Sequence, residues 1–251
     1  MSASQPPITV VTVVLNAKDL VRGCVESVLA QSIEGLEYVV VDGGSTDGTL
    51  EILRSYGDRI TRLISEPDRG LYDAMNKGVR AATGEFVHFL NVDDRYVSSD
   101  VLRSVLPQLD TNALCYGQMQ YVEQDRVTLL GCPFDWRREL RVSHVPQPTM
   151  FVSPRLYEQV GEFDASLKIA ADYDMVLRLA KRFPVKYIPV PVTVMHAGGV
   201  SYRRPDWTFS ESMAVSRRHG LGILPALSTY AWRVFKWKVK YGLIGARQKW
   251  Q

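Results

Sequence analysis

Short apolar runs without polar alternation recur along the first hundred residues. Residues 8–15 and 38–41 are β-branched runs of this kind, typical of strands that are buried on both faces of a parallel sheet. Between them, Leu20, Cys24 and Val28 recur at helical spacing. The opening of the chain therefore predicts a strand, a helix and a second strand.

Two further cycles of helix and strand follow. A helix capped within residues 45–47 precedes a strand at 60–65, and a helix over 71–82 ends at Gly84 before a strand at 86–90. This alternation predicts an α/β fold with a doubly wound sheet, whose ligand site lies beyond the carboxyl ends of the strands. Polar residues follow all four strand ends and are expected to meet on one rim: Asn16, Asp42, residues 66–68 and residues 91–94.

The regular alternation of predicted strands and helices ends beyond residue 100. The pattern there predicts helices over 101–109 and 170–181, antiparallel strands near 114–122 and 127–130, and a strand at 185–188. We predict one catalytic domain and a C-terminal helical extension. The catalytic domain spans 1–207, with a nucleotide-binding half over about 8–95 and an acceptor half over about 96–207, and the basic, aromatic extension spans 208–251.

Composition excludes several classes of protein. A net charge of +3 over 251 residues is too mild for a protein whose main partner is nucleic acid. Three cysteines without a close pair indicate neither a disulfide framework nor a cysteine zinc site. The N-terminus lacks the pattern of a secretory signal, and no stretch of 18 uncharged apolar residues occurs. We therefore expect a cytoplasmic protein.

Two adjacent carboxylates, Asp93 and Asp94, follow the fourth predicted strand. Neighbouring carboxylates repel each other, so holding both needs a compensating charge or full solvation. Mg²⁺ and Mn²⁺ suit such a pair, because these hard ions take oxygen ligands and complete their shell with water and phosphate. The alternative is a helix cap, with Asp94 or Ser98 starting the next helix.

Residues 42–48 form a tight glycine-rich turn from strand into helix. Such a turn lets a ligand approach the backbone closely. It lacks both the GxGxxG pattern and the phosphate-loop lysine of other nucleotide-binding folds. Asp42 can accept from the ring N–H of a uracil or guanine base, or it can serve only as a turn former.

Several motifs, in order and in register, resemble the family-2 glycosyltransferases of the GT-A fold. They are VVVDGGSTDGT (39–49), SEPDRGLYDAMNKGVRAATGE (65–85), FLNVDD (89–94) and ADYDMVLRL (171–179). The likeness spans roughly residues 8–200 and is nearest to bacterial enzymes of exopolysaccharide, capsule and O-antigen assembly. It implies an inverting transferase that moves a sugar from a nucleotide-diphosphate sugar to a glycan or polyprenyl-linked acceptor, with Mn²⁺ or Mg²⁺ as cofactor.

The resemblance also implies roles for single residues on the donor side. The first strand of the family motif ends at Asn16, Asp42 would contact the donor base, and Asp68 with Arg69 would line the nucleotide and sugar pocket. Asp93 and Asp94 fall on the metal-binding acidic motif, with Asp94 as the direct metal ligand and Asp93 at ribose or bound water. The family often has an acid where this chain has Asn91.

On the acceptor side, Asp172 matches the family's catalytic base, although the usual preceding Glu is Ala171 here. An inverting displacement needs one carboxylate that takes the acceptor hydroxyl proton while a metal offsets charge on the leaving diphosphate. The alternative for Asp172 is a helix N-terminal carboxylate favoured by the macrodipole. His196 could complete the metal shell or be only a loop residue, and His144 and Gln147 are acceptor-side candidates.

Aromatic and basic residues alternate in the tail, between residues 225 and 250. This mixture suits a helix that lies on an anionic membrane, which would place the protein at the inner face of the plasma membrane. An amphipathic helix packed on the catalytic domain or on a second subunit, as in a homodimer, fits equally well.

Two other functions compete with sugar transfer. A nucleotidyltransferase also uses a metal at a strand-end carboxylate, but residues 8–24 lack the glycine-rich basic loop that it needs for a triphosphate. A catalytically silent nucleotide-sugar binder or assembly scaffold would carry the same binding residues. Only turnover distinguishes that protein from an enzyme.

Overall fold

A computed structural model describes residues 5–199 and 203–248 of the chain. Residues 1–4, 200–202 and 249–251 lie outside the described part, and they include the predicted start of the catalytic domain and the predicted end of the extension. No helix within the described ranges combines the length and the hydropathy needed to cross a bilayer.

The first half of the chain forms the predicted parallel strands and helices. In chain order these are β1 (Ile8–Val14), α1 (Val21–Leu29), β2 (Glu37–Asp42), α2 (Thr49–Arg54), β3 (Arg62–Ser65), α3 (Leu71–Ala81) and β4 (Phe86–Phe89). The strands lie in the order β3-β2-β1-β4 and all pair in parallel. Their carboxyl ends therefore share one edge of the sheet.

The second half extends the same sheet with mostly antiparallel pairs. Its elements are β5 (Arg95–Tyr96), α4 (Val101–Val105), β6 (Leu114–Glu123), β7 (Arg126–Leu130), α5 (Trp136–Glu139), β8 (Met150–Val152), α6 (Pro154–Val160), α7 (Ala171–Arg182), β9 (Val185–His196), α8 (Pro205–Arg218) and α9 (Ile223–Gln248). The order continues from β4 as β8-β6-β9-β5, with β7 beside β6. Strand direction reverses between β4 and β8, which pair antiparallel.

The core lies on both faces of this sheet, which explains the unbroken apolar runs. All seven residues of β1 are buried. Val11 and Val13 belong to the cluster that includes α3 and α7, whereas Val10 and Val14 belong to the cluster that includes α1 and α4. Alternate side chains thus enter opposite cores, and neither face of the strand is exposed to solvent.

One strand is longer than the sequence pattern predicted. We expected it to end at Ile188, and this was wrong, since β9 continues to His196. The prolines at 189 and 191 are typical of the end of a strand, because proline cannot donate a hydrogen bond to a strand ladder. The β6–β9 pairing is irregular beside them, with register shifts on either side of Gln118. The irregularity accommodates the prolines and carries β9 on toward the acidic turn.

Candidate active site

The glycine-rich turn after β2 is held by Asp42. This aspartate is buried, and its carboxylate accepts hydrogen bonds from Ser65 Oγ at 2.7 Å and from the Ser45 backbone N–H at 3.2 Å. It therefore ties the end of β2 to the end of β3. These contacts are those of a turn former, and contact with a donor base stays a prediction.

Asn16 joins the loop after β1 to the same turn. Its backbone has a positive φ of 50°, and its Oδ1 accepts the Thr46 backbone N–H at 2.9 Å. Its own N–H donates to Ser45 Oγ at 2.8 Å. The structure thus brings the first two strand ends together, as the rim prediction required.

The loop after β3 places Asp68 against the glycine turn and Arg69 on the surface. One oxygen of Asp68 accepts the Gly70 N–H at 2.8 Å, and the other lies where a Cβ on Gly43 would stand. Arg69 is 84% exposed and pairs with Asp73 at 3.1 Å. Asp68 therefore joins the rim and the Arg69 guanidinium is exposed beside Asp73, and contact of either side chain with the donor stays a prediction.

The acidic turn after β4 contains a buried and a half-buried carboxylate. Asp94 is fully buried, its Oδ2 accepts from Asn91 Nδ2 at 3.3 Å, and its Oδ1 has no hydrogen-bond partner. Burial, and then the neighbouring Asp93, raise the pKa of Asp94 well above its usual range. Asp93 keeps accessible surface. The hydrogen bond from Asn91 and the charge of Arg95 act in the opposite direction, but burial and Asp93 outweigh them.

The helix-cap alternative for this turn is wrong. Residues 95–96 form β5, and α4 begins at Val101 after Asp100, which makes no side-chain capping bond. Neither Asp94 nor Ser98 therefore caps the helix. A carboxylate that is buried, lacks a donor for one oxygen and caps nothing requires another explanation.

The end of β9 approaches the acidic turn. Arg95 pairs with Val194 in an antiparallel ladder, two residues before β9 ends at His196. A Cβ built on Gly199 would lie 3.7 Å from Asp93 Oδ2. The His196 side chain itself is exposed. Within the described chain, no three His, Cys, Asp or Glu side chains are grouped so that they could hold a metal ion by themselves.

Asp172 lies in the first turn of α7 and is half-buried. Its Oδ1 accepts the Tyr173 N–H at 2.8 Å and the Tyr72 hydroxyl at 3.3 Å. Burial raises the pKa of Asp172 to about 6. The position is one that the helix dipole favours for a carboxylate, yet the pKa is raised, so the site disfavours the ionised form despite that dipole.

The acceptor-side candidates lie on the segment that joins α5 to β8. Gln147 Oε1 stands 3.5 Å from Asn91 Nδ2, which brings this segment to the acidic turn. The His144 backbone N–H donates to Glu139 Oε2 at 2.7 Å. Burial, and then Arg138, lower the pKa of His144.

Two residues near Asp172 were missed by sequence reasoning. Glu139 is buried, and burial raises its pKa to about 7, with Asp172 among the further causes. Nothing in its charged surroundings, WRREL, distinguishes it from a surface residue. Tyr72, which donates to Asp172, lies inside a motif of the resemblance, but its partner is 100 residues away in the chain.

The sheet order and the rim are those of the GT-A fold, as the similar solved structures show. A crystal structure of S. aureus TarS 1-349 in complex with UDP-GlcNAc is similar with a TM-score of 0.67 and 18% identity, over 90% of this chain and 71% of that chain. The mannosyltransferase PcManGT from Pyrobaculum calidifontis, in complex with GDP-Man and Mn²⁺, is similar with a TM-score of 0.64 and 22% identity, over 99% of this chain and 82% of that chain. The chain spans 42% of a longer TarS chain.

Residues 9–146 match the model of the family described as glycosyl transferase family 2, and the chain belongs to this family. A PGL/p-HBAD biosynthesis glycosyltransferase of Mycobacterium tuberculosis (strain ATCC 25177 / H37Ra) is 29% identical over 231 residues, 88% of this chain and 90% of the relative. An uncharacterized glycosyltransferase of M. tuberculosis (strain CDC 1551 / Oshkosh) is 31% identical over 224 residues, which are 86% of this chain and 85% of that relative. Asp172 lies beyond the matched range.

Proposed function

We propose that this chain is an inverting, metal-dependent glycosyltransferase that moves a sugar from a nucleoside-diphosphate sugar to a hydroxyl of a glycan or lipid-linked acceptor. One observation carries the proposal. Asp172 is a half-buried carboxylate with a pKa of about 6, and it is separate in the chain from the acidic pair at 93–94. A general base with a pKa near the working pH is suited to proton removal.

The donor would lie along the rim formed by the loops after β1, β2 and β3. Asn16, Asp42 and Asp68 surround a turn whose glycine at 43 leaves no room for a side chain, which suits a ligand that contacts backbone. The similar structures were solved with UDP-GlcNAc and with GDP-Man. They support a nucleoside-diphosphate sugar as the donor class and leave the base and sugar open.

The acidic turn fits a divalent cation. Asp94 offers a buried oxygen without a hydrogen-bond partner, and Asp93 offers an accessible carboxylate beside it. One or two protein carboxylates are what Mg²⁺ usually takes when phosphate and water complete its shell, so the lack of a third grouped ligand among the described residues does not count against the metal. We propose Asp94 and Asp93 as ligands, with His196 as an outer candidate. When bound, the ion would offset charge on the departing diphosphate.

Asp172 would take the proton of the acceptor hydroxyl. As that oxygen forms its bond to the anomeric carbon, the bond from this carbon to the diphosphate oxygen breaks, and its electron pair leaves with the nucleoside diphosphate. The proton ends on Asp172, and attack from the opposite face inverts the anomeric centre. The Tyr72 hydroxyl and the Tyr173 N–H hold the carboxylate in place for this step.

Replacing the base tests this proposal. We expect Asp172→Asn to lower kcat for transfer by about 10²–10⁴-fold, the usual contribution of a general base, while nucleotide-sugar binding in Mn²⁺ stays close to wild type. Transfer from radiolabelled donors and calorimetric binding measure the two quantities. Asn16→Ala serves as the control for the donor side, because it should weaken nucleotide-sugar binding, which Asp172→Asn should leave close to wild type. Full turnover by Asp172→Asn would reject the base assignment, and binding without turnover by the wild-type chain would favour the silent binder.

We also propose that α9 lies on an anionic membrane, so that the acceptor is a lipid-linked sugar in the synthesis of a cell-surface glycan. At 3.6 residues per turn, four large apolar side chains of α9 share one face about 80° wide: Leu224, Phe235, Val239 and Trp232. Lys238 lies about 40° outside the Leu224 edge of this face, and Lys236 lies about 40° outside the Trp232 edge. Trp232 and Phe235 are 58% and 55% exposed and stack on each other. An apolar face flanked by lysines suits a headgroup region.

Charge and packing support the same orientation of α9. The helix contains five basic residues and no Asp or Glu, which favours anionic lipid over a mixed protein surface. Its other side is already used, because Arg233 lies 4.6 Å over the Phe209 ring of α8 and Ala226 is buried. The apolar face is thus presented away from α8.

Vesicle flotation tests the membrane proposal. The intact chain should float with vesicles that contain phosphatidylglycerol and remain behind with pure phosphatidylcholine. Trp232→Ser with Phe235→Ser, and separately Lys236→Gln with Lys238→Gln, should abolish flotation, whereas the matched charge control Arg54→Gln with Lys186→Gln should not. Equal recovery in the soluble fraction would reject the proposal. A dimer that Trp232→Ser with Phe235→Ser dissociates would instead support the second-subunit alternative.

A further inference from the structure

A carboxylate from the C-terminal helices lies beneath the start of α7. Glu211, on α8, accepts three successive backbone N–H groups: those of Lys168 at 2.9 Å, Ile169 at 2.8 Å and Ala170 at 3.1 Å. This short segment leads directly into the helix turn that contains Asp172. Three charge-assisted hydrogen bonds to consecutive backbone groups fix both the position and the orientation of the segment.

The same segment is held from its other side by the residue that contacts Asp172. The Tyr72 hydroxyl lies 2.5 Å from the Ile169 carbonyl oxygen and 3.3 Å from Asp172 Oδ1. Ile169 therefore has its N–H on Glu211 and its C=O on Tyr72. Displacement of the segment would move the Tyr72 hydroxyl and the Asp172 carboxylate relative to each other.

Further contacts dock α8 on the residues that follow Asp172. Ser216 Oγ lies 3.1 Å from the Tyr173 hydroxyl, and His219 Nε2 lies 2.9 Å from Asp174 Oδ1. The Tyr173 hydroxyl also donates to the Glu139 backbone carbonyl at 2.7 Å. Contacts from α8 and its C-terminal end thus flank Asp172 on both sides along the chain.

We infer that Glu211 is a positioning residue for Asp172, which makes α8 a part of the active site and not an appendage of the catalytic domain. The inference rests on the proposed role of Asp172 as base. Glu211 would hold the carboxylate at the distance at which it can take a hydroxyl proton, and an error of about 1 Å in such a position can cost on the order of 10²-fold in rate.

The charges around Asp172 give this inference a distinctive readout. In the part of the chain that the structure describes, titratable side chains act on it from three other elements: Tyr72 on α3, Glu139 on α5 and Glu211 on α8. The Tyr72 hydrogen bond lowers the pKa of Asp172, whereas burial and the negative charge of Glu211 raise it. Removing the charge of Glu211 should therefore let Asp172 stay ionised to a lower pH.

The test compares Glu211→Gln with wild type in transfer assays across pH. We expect kcat to fall by about 10- to 100-fold, the donor KM to stay unchanged, and the acid limb of kcat/KM to move to lower pH. Glu211→Asp keeps the charge but is shorter, so its kcat should fall while its acid limb stays in place. Asp206→Asn is the matched control on the same helix, since Asp206 is exposed and forms its ion pair with Arg204.

The outcomes separate this inference from the proposed function. Wild-type kcat and an unmoved acid limb in Glu211→Gln would overturn it, as would wild-type kcat in Glu211→Asp if the glutamine variant does not fold. Asp172→Asn is assayed in parallel. Full turnover there rejects the base itself, whereas loss of turnover there together with wild-type behaviour of both Glu211 variants rejects only the positioning role.

Discussion

Two aspartates only two positions apart on α7 have opposite electrostatic surroundings. Burial opposes ionisation of Asp174, but hydrogen bonds from His219 and Arg178 hold its pKa below the usual range. Among the described contacts of Asp172 there is no cation, and burial raises its pKa to about 6. A paired carboxylate of the first kind stabilises the fold, whereas an uncompensated one of the second kind is suited to accept a proton.

Transfer activity should therefore depend on pH through Asp172. A carboxylate acts as a base only when ionised, so a raised pKa removes activity from the acid side. We expect kcat/KM to fall about tenfold per pH unit below a midpoint near pH 6. The measurement is a pH–rate profile with donor binding followed over the same range. A midpoint near 4, the ordinary value for aspartate, would contradict it.

Asp174 should affect stability more than chemistry. Asp174→Asn removes the charge that pairs with Arg178 at 2.7 Å in a buried setting. Breaking one partner of a buried pair costs about 3 kcal/mol of the free energy of unfolding. Urea unfolding measures this loss, and kcat measured well below the unfolding midpoint should fall much less than in Asp172→Asn. Wild-type stability with lost turnover would contradict this assignment.

At the scale of elements, the rim proposed to bind the donor depends on how closely the loop after β2 approaches the loop after β3. A Cβ on residue 43 would collide with the Asp68 carboxylate, which can swing aside without disturbing the core. We expect Gly43→Ala to weaken nucleotide-sugar binding at least tenfold, about 1.4 kcal/mol, with little change in melting temperature. The matched control is Gly222→Ala, whose Cβ would meet nothing closer than 3.5 Å. Equal donor affinity in both variants would contradict the prediction.

The elements also show where sequence patterns are informative. Strands β1, β2 and β4 were predictable because strands buried on both faces form continuous β-branched and apolar runs. Strand β3 is only half-buried, and its place followed from the alternation of strands and helices. The extension of β9 beyond Ile188 was not predictable, since its prolines suggest an end where the structure has an irregular ladder. The rim at Asn16, Asp42 and Asp68 followed from strand ends alone.

Contacts between distant segments account for what the sequence could not predict. Glu211 meets Ile169 across 42 residues, and Tyr72 meets Asp172 across 100. Neither pairing leaves a local spacing or a turn signature. Glu139 is likewise a charged residue in a charged segment, and only the fold shows that it is buried. A single sequence reveals strand ends and motifs but not which helix supports them.

On the scale of the whole molecule, α8 and α9 should contribute unequally to the fold. A chain ending at residue 204 loses Glu211, Ser216 and the buried Val215, so it should unfold at a clearly lower temperature and lack transfer activity. A chain ending at residue 219 keeps these contacts and should transfer sugar to a water-soluble acceptor. Thermal unfolding and turnover of the two chains measure this. Equal stability would contradict it.

The bonds from Glu211 to the segment before α7 also determine which parts of this enzyme could be exchanged with a relative. A chimera that replaces residues 147–199 alone would join a foreign α7 to the native α8, and the three bonds to Glu211 would form only if the foreign backbone takes the same position. Acceptor preference should therefore be transferred between relatives only when the exchanged segment continues through residue 219, so that it includes α8. Chimeras with relatives should therefore tolerate crossovers that keep residues 168–219 together better than crossovers between α7 and α8.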